Sequence, residues 1–237
     1  AVILKDYLTN TRYGCSIPAD EIDDASFTTW ESHCNEFVNT GYGYKSRYTC
    51  NVILDSQATL ISNIKTILAT CNGQLHWVDG KYKLHIDEVY LGYTEGSTTY
   101  VGANSFDFDE SHIIGGLKVI GERKTQRANQ VTAKFVNIRK IDPTDSSSVE
   151  SYKEDEVSWP ESSSSNYTTF LSEDNNVPLK KEINLKGVVH YHQARFQAQQ
   201  ACLLSRNSMG VEFNATAEAL NITVGDVVSV THRTPAW

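Results

Sequence analysis

Helical and strand-like spacings of apolar residues follow one another along this chain, with turn residues between them. Residues 1–9 put Ile3, Tyr7 and Leu8 on one helical face, before a turn at Tyr13-Gly14 and a break at Ile17-Pro18-Ala19-Asp20. A second helix starts at Asp23 or Asp24, whose carboxylate can accept from the free amides of a first turn. It carries Phe27, Trp30, Cys34, Phe37 and Val38 at three- and four-residue spacing and stops before Gly41-Tyr42-Gly43. Residues 48–54 alternate like a half-buried strand. Asp55 or Ser56 then caps a helix with one apolar stripe of Leu60, Ile61, Ile64, Ile67, Leu68 and Cys71, stopped at Asn72-Gly73. The runs LHWV and KYKLHI flank Asp79-Gly80, which supplies the positive φ angles of a type I′ turn and so predicts a hairpin. His76, Trp77 and His85 on that hairpin need only pack.

Residues 90–110, rich in Gly, Ser, Thr and Asp, mark the approach to a domain boundary. Beyond them come the β-like runs IIGGLKVIGERKT and RANQVTAKFVNIRKID. In the second, Val131, Ala133, Phe135 and Asn137 alternate with Thr132, Lys134, Val136 and Ile138, as in a long barrel or sandwich strand with both faces partly covered. Residues 142–176 hold many serines and carboxylates, among them Asp142, Asp145, Glu150 and Glu154, and read as a solvated, mobile acidic insertion with too little apolar content to order itself. Residues 188–206 form a long helix delivering two antiparallel strands. The first is MGVEFNATAEAL, and the second, residues 227–230, follows a Gly225-Asp226 turn after Ile222-Thr223-Val224. The expected fold class is α+β: a mixed helix and strand domain over residues 1–112, then an antiparallel β-barrel-like domain over 113–237 with one long helix and the acidic insertion.

Composition narrows the chemistry. The chain has 237 residues, 40% of them apolar, enough for one large domain or two modest ones. A formal charge of -8 argues against a nucleic-acid surface, which needs a basic stripe to neutralise phosphates. No apolar run is long enough to span a membrane, and the opening AVILKDYLTN is too short for a signal peptide. The missing initiator Met and the abrupt Pro235-Ala236-Trp237 ending suggest a piece of a longer protein.

Five cysteines, Cys15, Cys34, Cys50, Cys71 and Cys202, have no zinc-site spacing, and Cys34 and Cys71 fall on the apolar faces of predicted helices. The carboxylates match no calcium loop. His190 and His192, two apart, fall on different faces of a helix and make a poor metal pair. No nucleophile elbow, phosphate-binding loop, dinucleotide fingerprint or HExxH is present. The sequence therefore predicts a non-enzyme with no catalytic, cofactor-binding or metal residues and no cofactor. A carbohydrate-binding or glycan-processing module is the alternative, since Tyr42, Tyr44, Tyr48, Trp77 and Tyr82 are rings of the kind sugars stack on.

Several segments together resemble a known family. They are AVILKDYLTNTRYGCSIPADEIDDASF, RYTCNVILDSQATLISNIKTILATCNGQLHWVDGKYKL, HQARFQAQQACLLSR and VGDVVSVTH. In this order they resemble the central part of the lambda-type phage tail tip attachment proteins, protein J or host specificity protein, over most of the chain. The resemblance implies a structural part of a phage or prophage tail tip hub that closes the distal tail tube, supports receptor-binding parts and serves DNA ejection. It implies a homotrimer in the full-length protein, in which two similar barrels per subunit give a pseudo-sixfold ring. The implied partners are the tail tube and other tail tip proteins, with no specific nucleic-acid binding although DNA passes through the ring. It places the protein in the virion, at the tail tip, after synthesis in the bacterial host cytoplasm. An acidic lumen would let DNA pass without sticking. No catalytic or ligand residue comes with the resemblance.

Overall fold

The computed structural model describes residues 1–40, 43–54, 57–86, 94–95, 98–99, 105–121, 127–140, 150–207 and 209–233. Its first element, α1 (Val2–Thr9), buries Leu4, Tyr7 and Leu8, while Ile3, expected on that face, stays exposed. After a 3₁₀ turn at Ala19–Glu21, α2 (Asp24–Asn35) starts on Asp23, whose carboxylate accepts from the Ser26 amide at 3.3 Å. The helix is shorter than its apolar spacing predicts. Cys34 O and Glu36 O accept from Tyr48 N and Arg47 N, so the returning chain takes the carbonyls that another turn would use. Phe37 and Val38 accordingly belong to β1 (Phe37–Asn39), antiparallel to β2 (Tyr44–Ser46). Residues 48–54 join no strand, contrary to their alternation.

In α3 (Leu60–Ala69) the cap is Thr59, whose hydroxyl accepts from the Ser62 amide at 3.3 Å; Asp55 and Ser56 lie outside the described residues. Only the later part of its apolar stripe is buried, through Ile67 and Leu68, and Leu60 and Ile61 face outward. Asn72 then turns the chain with a φ of 54° into β3 (Gly73–Val78), paired with β4 (Lys81–Ile86). The connecting Asp79 and Gly80 have φ of 52° and 76°, as the I′ turn requires. Leu4, Tyr7, Leu8, Ile22, Phe27, Ile67, Leu68 and Leu84 make one buried cluster from these elements.

Further along, β5 (Thr94–Glu95) and β6 (Thr98–Thr99) form a short antiparallel pair, followed by β7 (Phe106–Phe108) and β8 (Ile113–Ile120). The longest strand, β9 (Gln130–Lys140), lies at the centre of a three-stranded sheet. On one side it pairs antiparallel with β10 (Glu150–Trp159) and, beyond α4 (Ser165–Glu173), parallel with β11 (Lys180–Asn184) on the other. The predicted alternation holds, with Val131, Ala133, Phe135 and Asn137 buried. Its other face is partly covered, with Thr132 and Ile138 half-buried and Lys134 and Val136 exposed. The last elements are α5 (Tyr191–Arg206), β12 (Gly210–Ala215), a 3₁₀ turn at Ala217–Asn221, and β13 (Val228–Val230).

Two expectations about this half change. The acidic segment is not a loose insertion where it is described: Glu150–Trp159 is a ten-residue strand and Ser165–Glu173 a helix. Val157 and Trp159 anchor the strand in the core, Asp155 accepts from Asn137 Nδ2 at 2.9 Å, and Asp174 is buried beside Asn129. Residues 142–149 of that segment lie outside the described residues. Nor do the final strands pair with each other. β12 pairs antiparallel with β8, and β13 parallel with β7.

The architecture is α+β, and among the described residues the strands form small separate sheets. The chain divides into two compact units, Ala1–Asp87 with Ala128–Cys202 and Glu88–Arg127 with Leu203–Trp237. Both units are thus discontinuous in sequence, so no single cut near residue 112 separates them.

Candidate functional site

Within the first unit, α5 presents glutamines where a core helix normally presents aliphatic residues. Gln193 and Gln197, one turn apart, are 0% and 1% exposed. Gln193 Oε1 accepts from the Thr49 amide at 3.2 Å and its hydroxyl at 3.0 Å, while Nε2 donates to Thr49 O at 2.9 Å and Thr70 O at 2.8 Å. One side-chain amide therefore pairs with Thr49 as a neighbouring strand would. Gln197 Nε2 donates to Thr70 O at 2.6 Å and Ala69 O at 3.3 Å. These carbonyls end α3, where a helix lacks internal partners, so α5 caps α3 from the far half of the sequence. Gly187 completes the clasp: its carbonyl accepts from Asn51 N at 2.9 Å, its φ is 77°, and a Cβ there would meet Val52 Cγ1.

Beside the clasp lies a cavity of about 250 Å³, walled in part by Leu4, Glu31, Tyr48, Thr70 and the thiols of Cys34, Cys50 and Cys71. No disulfide joins any of the five cysteines. The Cys71 thiol is pushed far up from its ordinary range, first by a hydrogen bond with Cys34 and then by burial. Burial also raises Cys50, against a lowering hydrogen bond from Thr70. Raised thiols are poor nucleophiles at neutral pH, and no histidine lines the cavity to serve as base.

The histidines weighed from the sequence make packing and hydrogen-bond contacts. His190 precedes α5 rather than belonging to it, so its ring stacks on His192 at 5.7 Å instead of pointing to another face. His192 Nε2 lies 3.1 Å from Ser46 O, and burial holds its imidazole below the usual range, with Lys45 adding to the shift and the Ser46 contact opposing it. His85 meets Trp30 edge-on, and Trp77, 54% exposed, packs against Tyr82.

One histidine escaped the sequence reading. In the second unit His112 Nδ1 is 2.8 Å from Asp109 Oδ1 and Nε2 is 3.0 Å from Glu218 Oε2, with Phe106 and Phe108 against the ring. Hydrogen bonds from Ser111, then the neighbouring His112, hold the Asp109 carboxyl below its ordinary range. The Asp109-x-x-His112 spacing was the available signal. Both ring nitrogens face carboxylates, so the group ties the turn after β7 to the 3₁₀ turn. Among the described residues no group of three or more His, Cys, Asp or Glu could hold a metal, and no helix is long and apolar enough to cross a membrane.

No protein-family model matches the chain. Its similarity is to phage tail hub-type proteins, without singling out the lambda-type tail tip proteins. One relative is baseplate hub protein pb3 of Escherichia phage T5, 22% identical over 252 aligned residues, which take in 99% of this chain and 24% of that protein. The chain thus spans about a quarter of that relative's length.

Proposed function

We propose that the chain is a structural, non-catalytic part of a phage tail hub, located in the virion at the distal end of the tail. The observation that carries this reading is the likeness to a baseplate hub protein along 99% of the chain. The packing supports it. Buried glutamines and helix caps, rather than convergent acids and bases, organise the first unit, and the second exposes Ile114, Val119, Ile120, Val224 and Val228 on and around short strands. Open strand edges and exposed aliphatic residues suit a subunit that finishes its sheets against neighbours. In the full-length protein these strands close as barrel-like parts of a homotrimeric ring, joined to the tail tube and other tip proteins, through which DNA leaves.

Immunogold labelling of intact particles with antibodies against this chain tests the placement. Gold confined to the distal tail end is expected; particles that carry none of the antigen overturn the reading. The exposed rings of Phe37, Tyr44 and Trp77 favour a second reading, glycan binding. On a glycan array, it requires a signal that Trp77→Ala abolishes.

A further inference from the structure

Cys34 lies in the last turn of α2 and Cys71 two residues past the end of α3. Each is 8% exposed, and they share one buried cluster with Tyr48 and Ile86. They lie close enough that the Cys34 side chain is the first cause of the raised Cys71 thiol. Both border the 250 Å³ cavity, whose wall includes Val2 and Ile3, 56% and 47% exposed, so the space reaches the surface. The other sulfurs are differently engaged: Cys50 bonds to the Thr70 side chain, and Cys202 donates to Ala128 O at 3.6 Å.

We infer that Cys34 and Cys71 are a disulfide-forming site, oxidised by a small-molecule disulfide that enters the cavity. The Cys34 thiol loses its proton to solvent, and the thiolate attacks one sulfur of the external disulfide, expelling the other half as a thiolate that takes up a proton. The Cys71 thiol then gives up its proton, and its sulfur attacks the Cys34 sulfur of the mixed disulfide, expelling the second half. Two protein thiols are oxidised to one disulfide, and the external disulfide is reduced to two thiols. The new bond closes a loop containing β1, β2 and α3, tying the end of α2 to the end of α3. Because Cys71 holds its proton tightly, closure is slow near neutrality and accelerates as pH rises. This inference stands independently of the tail-hub reading.

The test uses the whole chain and oxidised glutathione at pH 8.5, followed by alkylation and non-reducing peptide mass mapping. The expected result is a Cys34–Cys71 linked peptide pair, with Cys15, Cys50 and Cys202 still alkylated. The unfolding midpoint should rise by about 8 °C and return on adding dithiothreitol. Cys34→Ser or Cys71→Ser removes both signals, and Cys50→Ser keeps them. Glutathione found only as mixed disulfides on Cys15 or Cys50, with Cys34 and Cys71 alkylated in the wild-type chain, overturns the inference whatever the variants do.

Discussion

Single residues in the clasp hold conformations or partners that a substitution cannot keep. Gly187 combines a φ of 77° with a neighbour, Val52, where a side chain would go. Gly187→Ala should therefore destabilise the first unit by about 2 kcal/mol, measured by urea unfolding, since a non-glycine residue held there is strained and must also displace Val52. His192 carries a different signature. Its folded-state pKa is depressed below the ordinary value of 6.5, chiefly by burial. Its neutral form therefore supports the fold fully above that value, and this contribution fades as the pH drops from 6.5 through the lower folded-state value. Between pH 7.5 and 5.5 the thermal midpoint of the wild type should fall further than that of His192→Gln; equal falls would remove His192 as the cause.

At the scale of elements, the glutamines of α5 make opposite demands. Gln193→Ala leaves Thr49 and Thr70 backbone groups without their partners and should cost about 3 kcal/mol. Gln199, 1% exposed with an unpartnered Nε2, should tolerate Met with a change within about 1 kcal/mol or a small gain. Equilibrium unfolding of the two variants checks the contrast. Elements made by local signals were legible in the sequence: the Asp79-Gly80 hairpin, the Asp23-capped helix and the alternation of β9 all follow from neighbours in the chain. What long-range contacts decide was not. The end of α2 depends on Arg47 and Tyr48, and residues 48–54 stay out of a sheet because distant Gln193 and Gly187 supply their hydrogen bonds. The acidic segment misled because its carboxylates dominate the composition, whereas Val157 and Trp159 decide where its strand docks. His112 went unnoticed because Glu218 lies far along the sequence.

For the whole molecule, the order of the chain and the order of the packing differ. Residues 1–87 complete their unit only with residues 128–202, so the fragment 1–112 should lack cooperative thermal unfolding and give a poorly dispersed NMR spectrum, while the whole chain melts sharply. A sharp transition in that fragment would show that the N-terminal part folds alone. The same interleaving sets a timetable for synthesis. The carbonyls at the end of α3 leave the ribosome well over a hundred residues before the amide that caps them, a delay of roughly ten seconds at an elongation rate of about 10 residues per second. Throughout that interval the nascent chain carries an unfinished helix pair, so a chaperone or a fast elongation rate over residues 71–197 governs how much of it folds intact.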